Sequence, residues 1–459
     1  MKLKPEVSKA YARIQLMSDT AVELAAPDTL LGMLQRGRGA GYLLALKSDY
    51  MEVHKALMHC LMYNPKWDRQ IEDREEYYAE IMLRTSMDVT CVGEYLSGLM
   101  EEDSGWIAIN TLGEMAKRGH LLALAVLRNQ VESGTQWDDA LFILSDLLEQ
   151  KKLLSLAEII CQRFSVEDIL QRLDSYDFDI EPWNTWKETH PHIREAYEKL
   201  GRRHKRHTNA EPHESMSTSE LLGIAPSGSW RIIGQILSAR KSAEDTALLE
   251  QALGSTSERV VATALRALGR QHNPVAIPLA VSIIRSRTRA AHRHAAYDYM
   301  ESLPARYTLR DARGWFSSRS WRMRVAGERI LKQHAQLKDV PMLRVALSIA
   351  HSDPKHQMYR EGSILESLAR LPKGAPYPEA ITSFIETPYS LTRWRAAKVL
   401  AASDQDFPTT FAVECLWDCY WSIQEIGCRY VDLSIPGVGK RLLELAHDHE
   451  IAKARLRRK

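Results

Sequence analysis

Cysteine is scarce in this chain, with six in 459 residues at positions 60, 91, 161, 415, 419 and 428. That number and that irregular spacing exclude a disulfide framework, so free and mostly buried thiols are expected. Cys415, Cys419 and Cys428, with His447 and His449 downstream, are residue types that bind zinc. The first two, however, are spaced like one helical turn rather than a zinc knuckle, so neither metal nor cofactor is expected. Long apolar runs are missing as well. The best, at residues 121–127, is far shorter than the roughly 18 residues that span a bilayer. Glu6, Lys9 and Arg13 interrupt any secretory signal at the start. A cytoplasmic protein without a membrane partner is expected.

Strand signals are equally poor. Period-two alternation closed by Asn-Gly or Asp-Gly turns is lacking, while apolar residues recur every three or four positions nearly throughout. With 45% hydrophobic and 26% charged residues, the chain has the composition of a folded domain rather than of a disordered one. An all-α fold is therefore predicted. Helix starts are marked by Ser165/Asp168, Ser217/Glu220, Ser242/Asp245 and Thr308/Asp311, pairs in which a side chain satisfies an orphan amide of the first turn. Stops are expected at Gly254, Pro304, Pro372, Pro388 and Pro408. The implied helices run about 10–16 residues.

Charge divides the chain. The overall net charge is only +2, yet residues 1–200 carry 22 Lys+Arg against 33 Asp+Glu, while residues 201–459 carry 39 against 26. Residues 201–218 are polar, basic and poor in aliphatics, and read as a linker. The predicted organisation is an acidic helical domain at 1–200, a basic linker at 201–218 and a basic repeat domain at 219–459. Opposite signs bear on partners and not on fold. Either the second half binds a polyanion or the two halves attract one another.

Within the second half an arginine recurs at a similar helical position: Arg231, Arg259, Arg293, Arg324, Arg360, Arg395 and Arg429, at intervals of 28, 34, 31, 36, 35 and 34 residues. That period is one helical hairpin. The string Glu258-Arg259-Val260-Val261-Ala262-Thr263-Ala264-Leu265 resembles the opening of the second helix in HEAT-like (armadillo-type) repeats, and the likeness covers residues 219–435. Glu361 and Tyr430 depart from the small residue that the pattern places after its arginine. The resemblance implies tandem hairpins stacked as a curved α-solenoid with a concave binding surface. Residues 106–128 carry a similar hairpin string without a clean period.

The candidate binding residues are Trp321, Arg322, Arg324, Arg360, Arg393, Trp394 and Arg395, with Trp230-Arg231 and Tyr359 in the same pattern. Displayed together, they form a basic stripe with stacking platforms suited to nucleic acid. Turned inward, they are struts and core. Ser318 to Arg324 also resembles, in flavour, the HEAT-like-repeat alkylpurine DNA glycosylases, but no aspartate matches, so catalysis does not carry over.

Other motifs read as ordinary structure. Gly37-Arg38-Gly39-Ala40-Gly41 and Gly437-Val438-Gly439-Lys440 fail as phosphate loops and read as turns. The carboxylates at 72–76 and 101–103 read as solvated faces, Trp67 as a contact loop, and the basic end 453–459 as an electrostatic arm or helix cap. The leading expectation is a non-enzymatic scaffold that binds a protein partner on its concave face. The alternative is a nucleic-acid-binding protein, reached through residues 201–459, including a DNA glycosylase.

Overall fold

The computed structural model describes residues 24–63, 74–99, 105–173, 182–204, 215–226, 230–351, 354–371, 377–446 and 452–453. Trp67, Glu72, Asp73, residues 101–103, most of the expected linker, Pro372, His447, His449 and the tail from 454 onward lie outside them. The described residues form 27 α-helices and three 3-10 turns, with no strand. The all-α expectation holds. None of these helices is long and apolar enough to cross a membrane.

Local chemistry explains most helix boundaries. Ser217 and Glu220 form a reciprocal capping box ahead of Thr218–Ile224, and Ser242 accepts from the amide of Asp245. Ser165 and Asp168 do the same at Val166–Leu173. Thr308/Asp311 is the exception. Both residues lie inside helix Ala305–Phe316, because Pro304 sets the start three residues before Thr308 and Thr308 turns into the core. Gly37, at φ 66°, ends helix Leu30–Arg36, whereas Gly39 and Gly41 belong to the next helix, Gly39–Ala45. Several helices are shorter than expected, down to the five residues of Phe411–Cys415.

The chain folds as two compact units. One takes the described residues of 1–206 together with 384–397 and 405–459; the other takes those of 207–383 and 398–404. Residues 384–397 and 405–459 therefore group with the acidic start of the chain and not with the repeats that precede them.

The second unit is built of hairpins packed in a repeat-like manner. Helices Thr218–Ile224, Ala243–Ala252, Ile277–Arg285, Ala305–Phe316 and Val340–His351 alternate with a second row, Trp230–Ala239, Glu258–Arg270, Ala290–Ser302, Trp321–His334 and Pro354–Ala369. Each second-row helix packs on its hairpin partner, and each but the last packs on the next second-row helix. Burial follows from that double packing. In Glu258–Arg270 every residue from Val260 to Gly269 is buried except Arg266. Close approach is set by small residues: a Cβ on Gly327 would lie 2.5 Å from the Phe316 amide nitrogen. Arg231, Arg259, Arg293 and Arg324 fall in the first turn of their second-row helices, and Arg360 one turn further in. Arg429 does not share this phase: it is next to last in helix Trp421–Tyr430.

Helix ends in this unit are closed by the neighbouring repeat. The Gln271 amide donates to the Arg240 carbonyl at 2.6 Å, His272 Nδ1 to Ser302 at 2.8 Å, His334 Nε2 to Leu303 at 2.9 Å and Arg370 to Lys332 at 2.9 Å. Each bond satisfies a carbonyl at or just beyond the end of an adjacent helix.

The first unit is held by guanidinium groups inside it. Arg393 is 0% exposed, and its Nε and Nη2 grip the two oxygens of Asp418 at 2.8 and 3.1 Å. Arg38 clamps Glu414 in the same bidentate way, at 2.8 and 3.0 Å. Arg36 donates to the carbonyls of Ala25, Gly32 and Glu386, and Arg74 to those of Gln35 and Pro388. The early helices and the segments after 384 are thus tied by hydrogen bonds that neither could satisfy alone. A Cβ on Gly39 would lie 1.9 Å from the Glu414 carbonyl oxygen, so only glycine admits this contact. Burial, reinforced by repulsion from Arg38 and Arg393, pulls Arg36 down to about 10. Burial works against the charge of Arg393 too, but Asp418 outweighs it and holds that guanidinium protonated.

Removing one partner of a buried ion pair leaves an uncompensated charge, which typically costs about 3–5 kcal/mol. D418A is therefore expected to shift urea unfolding to markedly lower denaturant, with the double variant R393M/D418L recovering most of the loss. A D418A variant as stable as the parent would contradict this role for the pair.

Candidate functional site

The predicted site residues fall into different settings. Arg393, Trp394 and Arg395 belong to the first unit, where Arg393 is the fully buried partner of Asp418 and has no surface to offer a ligand. Trp321, Arg322, Arg324 and Arg360 belong to the second unit, the first three on helix Trp321–His334. Arg324 donates to the carbonyls of Ser318 and Arg319, both at 3.0 Å, and so braces the loop before its own helix. Arg293 braces Thr288 similarly at 3.1 Å, and Arg259 reaches back one repeat to the Pro226 carbonyl. Arg360 pairs with Glu328 at 3.0 Å. Most of the arginines that mark the repeat are therefore struts.

Further along the second row, charges of alternating sign cross from helix to helix. Arg266 meets Asp298 at 3.0 Å, Asp298 meets Arg329 at 2.7 Å, and Arg329 also holds Glu301 at 2.6 Å. Lys332 continues the ladder to Glu366 at 3.1 Å. Positions 266, 298, 329 and 366 are one repeat apart, so the sequence period and the ion ladder have one origin.

Trp321 stays outside these bonds. It is 51% exposed, and the guanidiniums of Arg293 and Arg322 both lie 5.4 Å from its ring centroid. Trp230 is arranged alike, with Arg266 at 4.3 Å and Arg231 at 5.4 Å. A cation–π contact leaves the charge of a guanidinium in place, although Arg266 is also paired with Asp298.

Trp230 stands where two clefts of the second unit meet, one of about 530 Å³ that includes Arg231, Arg266 and Arg270, the other of about 650 Å³ that includes Arg259, Arg289 and His292. A third, of about 210 Å³, shares Arg266, Arg270 and Asp298 with the first and reaches Arg329. The three make one groove across four second-row helices. Its lining holds six arginines (231, 259, 266, 270, 289 and 329) against three carboxylates, Glu258, Asp298 and Glu301. Arg231, Arg259, Arg270 and Arg289 are exposed. Arg266 is mostly covered, its Nη1 buried without a hydrogen-bond partner, and burial pulls its pKa below the usual range. Both ring nitrogens of His292 are likewise buried and unpartnered, and burial disfavours its charged form.

Of this groove, only Trp230-Arg231 and the repeat arginine Arg259 stood out in the sequence. Arg266 and Arg270 were missed, although positions 259, 266 and 270 fall on one helical stripe.

A separate cleft of about 570 Å³ lies in the first unit, lined by Tyr77, Trp417 and Trp421. Its charges are mutually engaged: Arg441 with Glu80 at 2.7 Å, Arg84 with Glu444 at 2.8 Å and Arg118 with Glu76 at 2.5 Å. Tyr42 donates to Glu80 at 2.8 Å, and burial together with that carboxylate raises its phenol well above the usual range. Among the described residues no cluster of His, Cys, Asp or Glu has the arrangement of a metal site.

No family model, curated protein or solved structure matches this chain.

Glu328 offers a test of how closely the second row is packed. Burial raises its carboxyl to about 7, against the opposing pull of Arg360 and Arg324. A carboxyl raised on folding stabilises the protein below its unfolded value, and that stabilisation is lost as pH climbs through the folded value. The melting temperature of E328Q relative to the parent should therefore rise between pH 5 and pH 8, since about 7 lies inside that window. Thermal melts at the two pH values check this, and a pH-independent difference would contradict it.

Proposed function

We propose that the second unit is a non-enzymatic binding module, its hairpins stacked as a HEAT-like solenoid, that takes a polyanionic chain such as a nucleic acid along its basic groove. The observation that carries this reading is the lining itself, six arginines against three carboxylates. The unit as a whole is basic, with 25 Lys+Arg against 17 Asp+Glu in 207–383 and 398–404. Each groove carboxylate already holds a guanidinium, Glu258 that of Arg289 and Asp298 and Glu301 that of Arg329. The reading taken is therefore retention of the ligand and not base excision. An acidic segment of a protein partner is the other ligand that such a lining favours.

The two ligands differ in their response to salt. A nucleic acid held by the four exposed arginines 231, 259, 270 and 289 releases counterions, with a slope of log affinity on log salt of about −3 for a single strand. R231E/R270E should weaken binding of a labelled oligonucleotide at low salt by more than about tenfold, following the loss of phosphate contacts. D298A, which removes one groove carboxylate and leaves Arg266 without its ion-pair partner, should strengthen it. Fluorescence anisotropy on the full chain measures all three. Absence of binding to any polyanion at low salt overturns the reading, and displacement of a bound acidic peptide but not of oligonucleotide would favour the protein ligand.

A further inference from the structure

We infer, resting on that reading, that the polyanion is single-stranded nucleic acid, with Trp321 and Trp230 serving as platforms for unstacked bases. Each indole is the first residue of a second-row helix, Trp230–Ala239 and Trp321–His334. The starts of the helices in one row of stacked hairpins lie along one edge of that row. Each indole has two guanidiniums, one from the next residue of its own helix, Arg231 or Arg322, and one from another second-row helix: Arg293 of the preceding helix at Trp321, and at Trp230 Arg266 of the following helix, which Asp298 already holds. A nucleotide requires this pairing of groups, an aromatic plane for its base and a cation for its phosphate.

A duplex does not fit the same inventory. Its base faces are covered by stacking, so it would use the arginines and leave the indoles idle. Trp321 is not part of the helix's core: half of it faces solvent, while the buried face of its helix is supplied by Met323, Ala326, Ile330 and Leu331. The ion ladder supports the same conclusion. Arg329 and Lys332 are bound to carboxylates, so the positive charge still available on this helix lies near its start, beside Trp321.

The test uses the full chain with four fluorescein-labelled probes: oligothymidylate, oligouridylate, the matched DNA duplex and heparin. Both single strands should bind more tightly than the duplex at equal salt. W321A should weaken the single strands by about 5- to 150-fold, the range for one stacked base, and leave heparin and duplex affinity unchanged. W321F should retain part of the single-strand affinity, and quenching of tryptophan fluorescence should accompany binding in the parent. Because the Trp321 side chain is exposed, unchanged melting of W321A confirms that folding is intact. Equal binding of duplex and single strand, or a W321A variant that binds every probe like the parent, overturns the single-strand assignment while leaving the polyanion reading standing. Failure of all four probes overturns both.

Discussion

A guanidinium withdrawn from water must place its N–H donors on acceptors, and this chain answers that demand in two ways that determine the rest of its structure. In the first unit the acceptors are two carboxylates, the buried Asp418 and the half-buried Glu414, and a set of backbone carbonyls at helix ends and loops. In the second they are carboxylates one repeat away and the carbonyls of loops leading into helices. The first solution fixes which segments must come together. The second fixes the spacing of the repeats and, by using up some arginines, leaves others displayed.

The second row of helices consequently has two roles. Its interior, from Val260 to Leu268 in one helix and from Met323 to Leu331 in another, supplies the apolar packing that each hairpin lacks alone. Its outer face carries the ladder and the groove side by side. A substitution there changes surface charge and inter-repeat attraction together, as at Asp298, which belongs to both.

Much of the fold was legible in the sequence, because caps and hairpin periods are local. Ser217 with Glu220 and Ser242 with Asp245 act where their spacing put them, and the repeat period appears as alternating helices. Thr308 with Asp311 misled, since the same spacing occurs within a helix already started by a proline. The site was less legible. An arginine at the start of a helix reads alike whether it braces a carbonyl, as Arg324 does, lies beside an indole, as Arg322 does, or is wholly buried on a carboxylate, as Arg393 is. Only the partner distinguishes them, and the partner is remote in sequence. The grouping of 384–397 and 405–459 with the first helices was hidden for the same reason.

That grouping bears on the order in which the chain matures. The bond from Arg36 to Glu386 closes a loop of 350 residues, and that from Arg38 to Glu414 one of 376. Contacts of such separation are slow to form, whereas those of the repeats join neighbours about one hairpin apart. During synthesis the second unit has its partners at hand as soon as each hairpin emerges. The first unit does not: its early helices leave the ribosome with Arg36, Arg38 and Arg74 lacking their later partners until residues past 384 are made. In sequence the repeat unit is an insertion within the first unit, and it must be made before the segments of that unit can join.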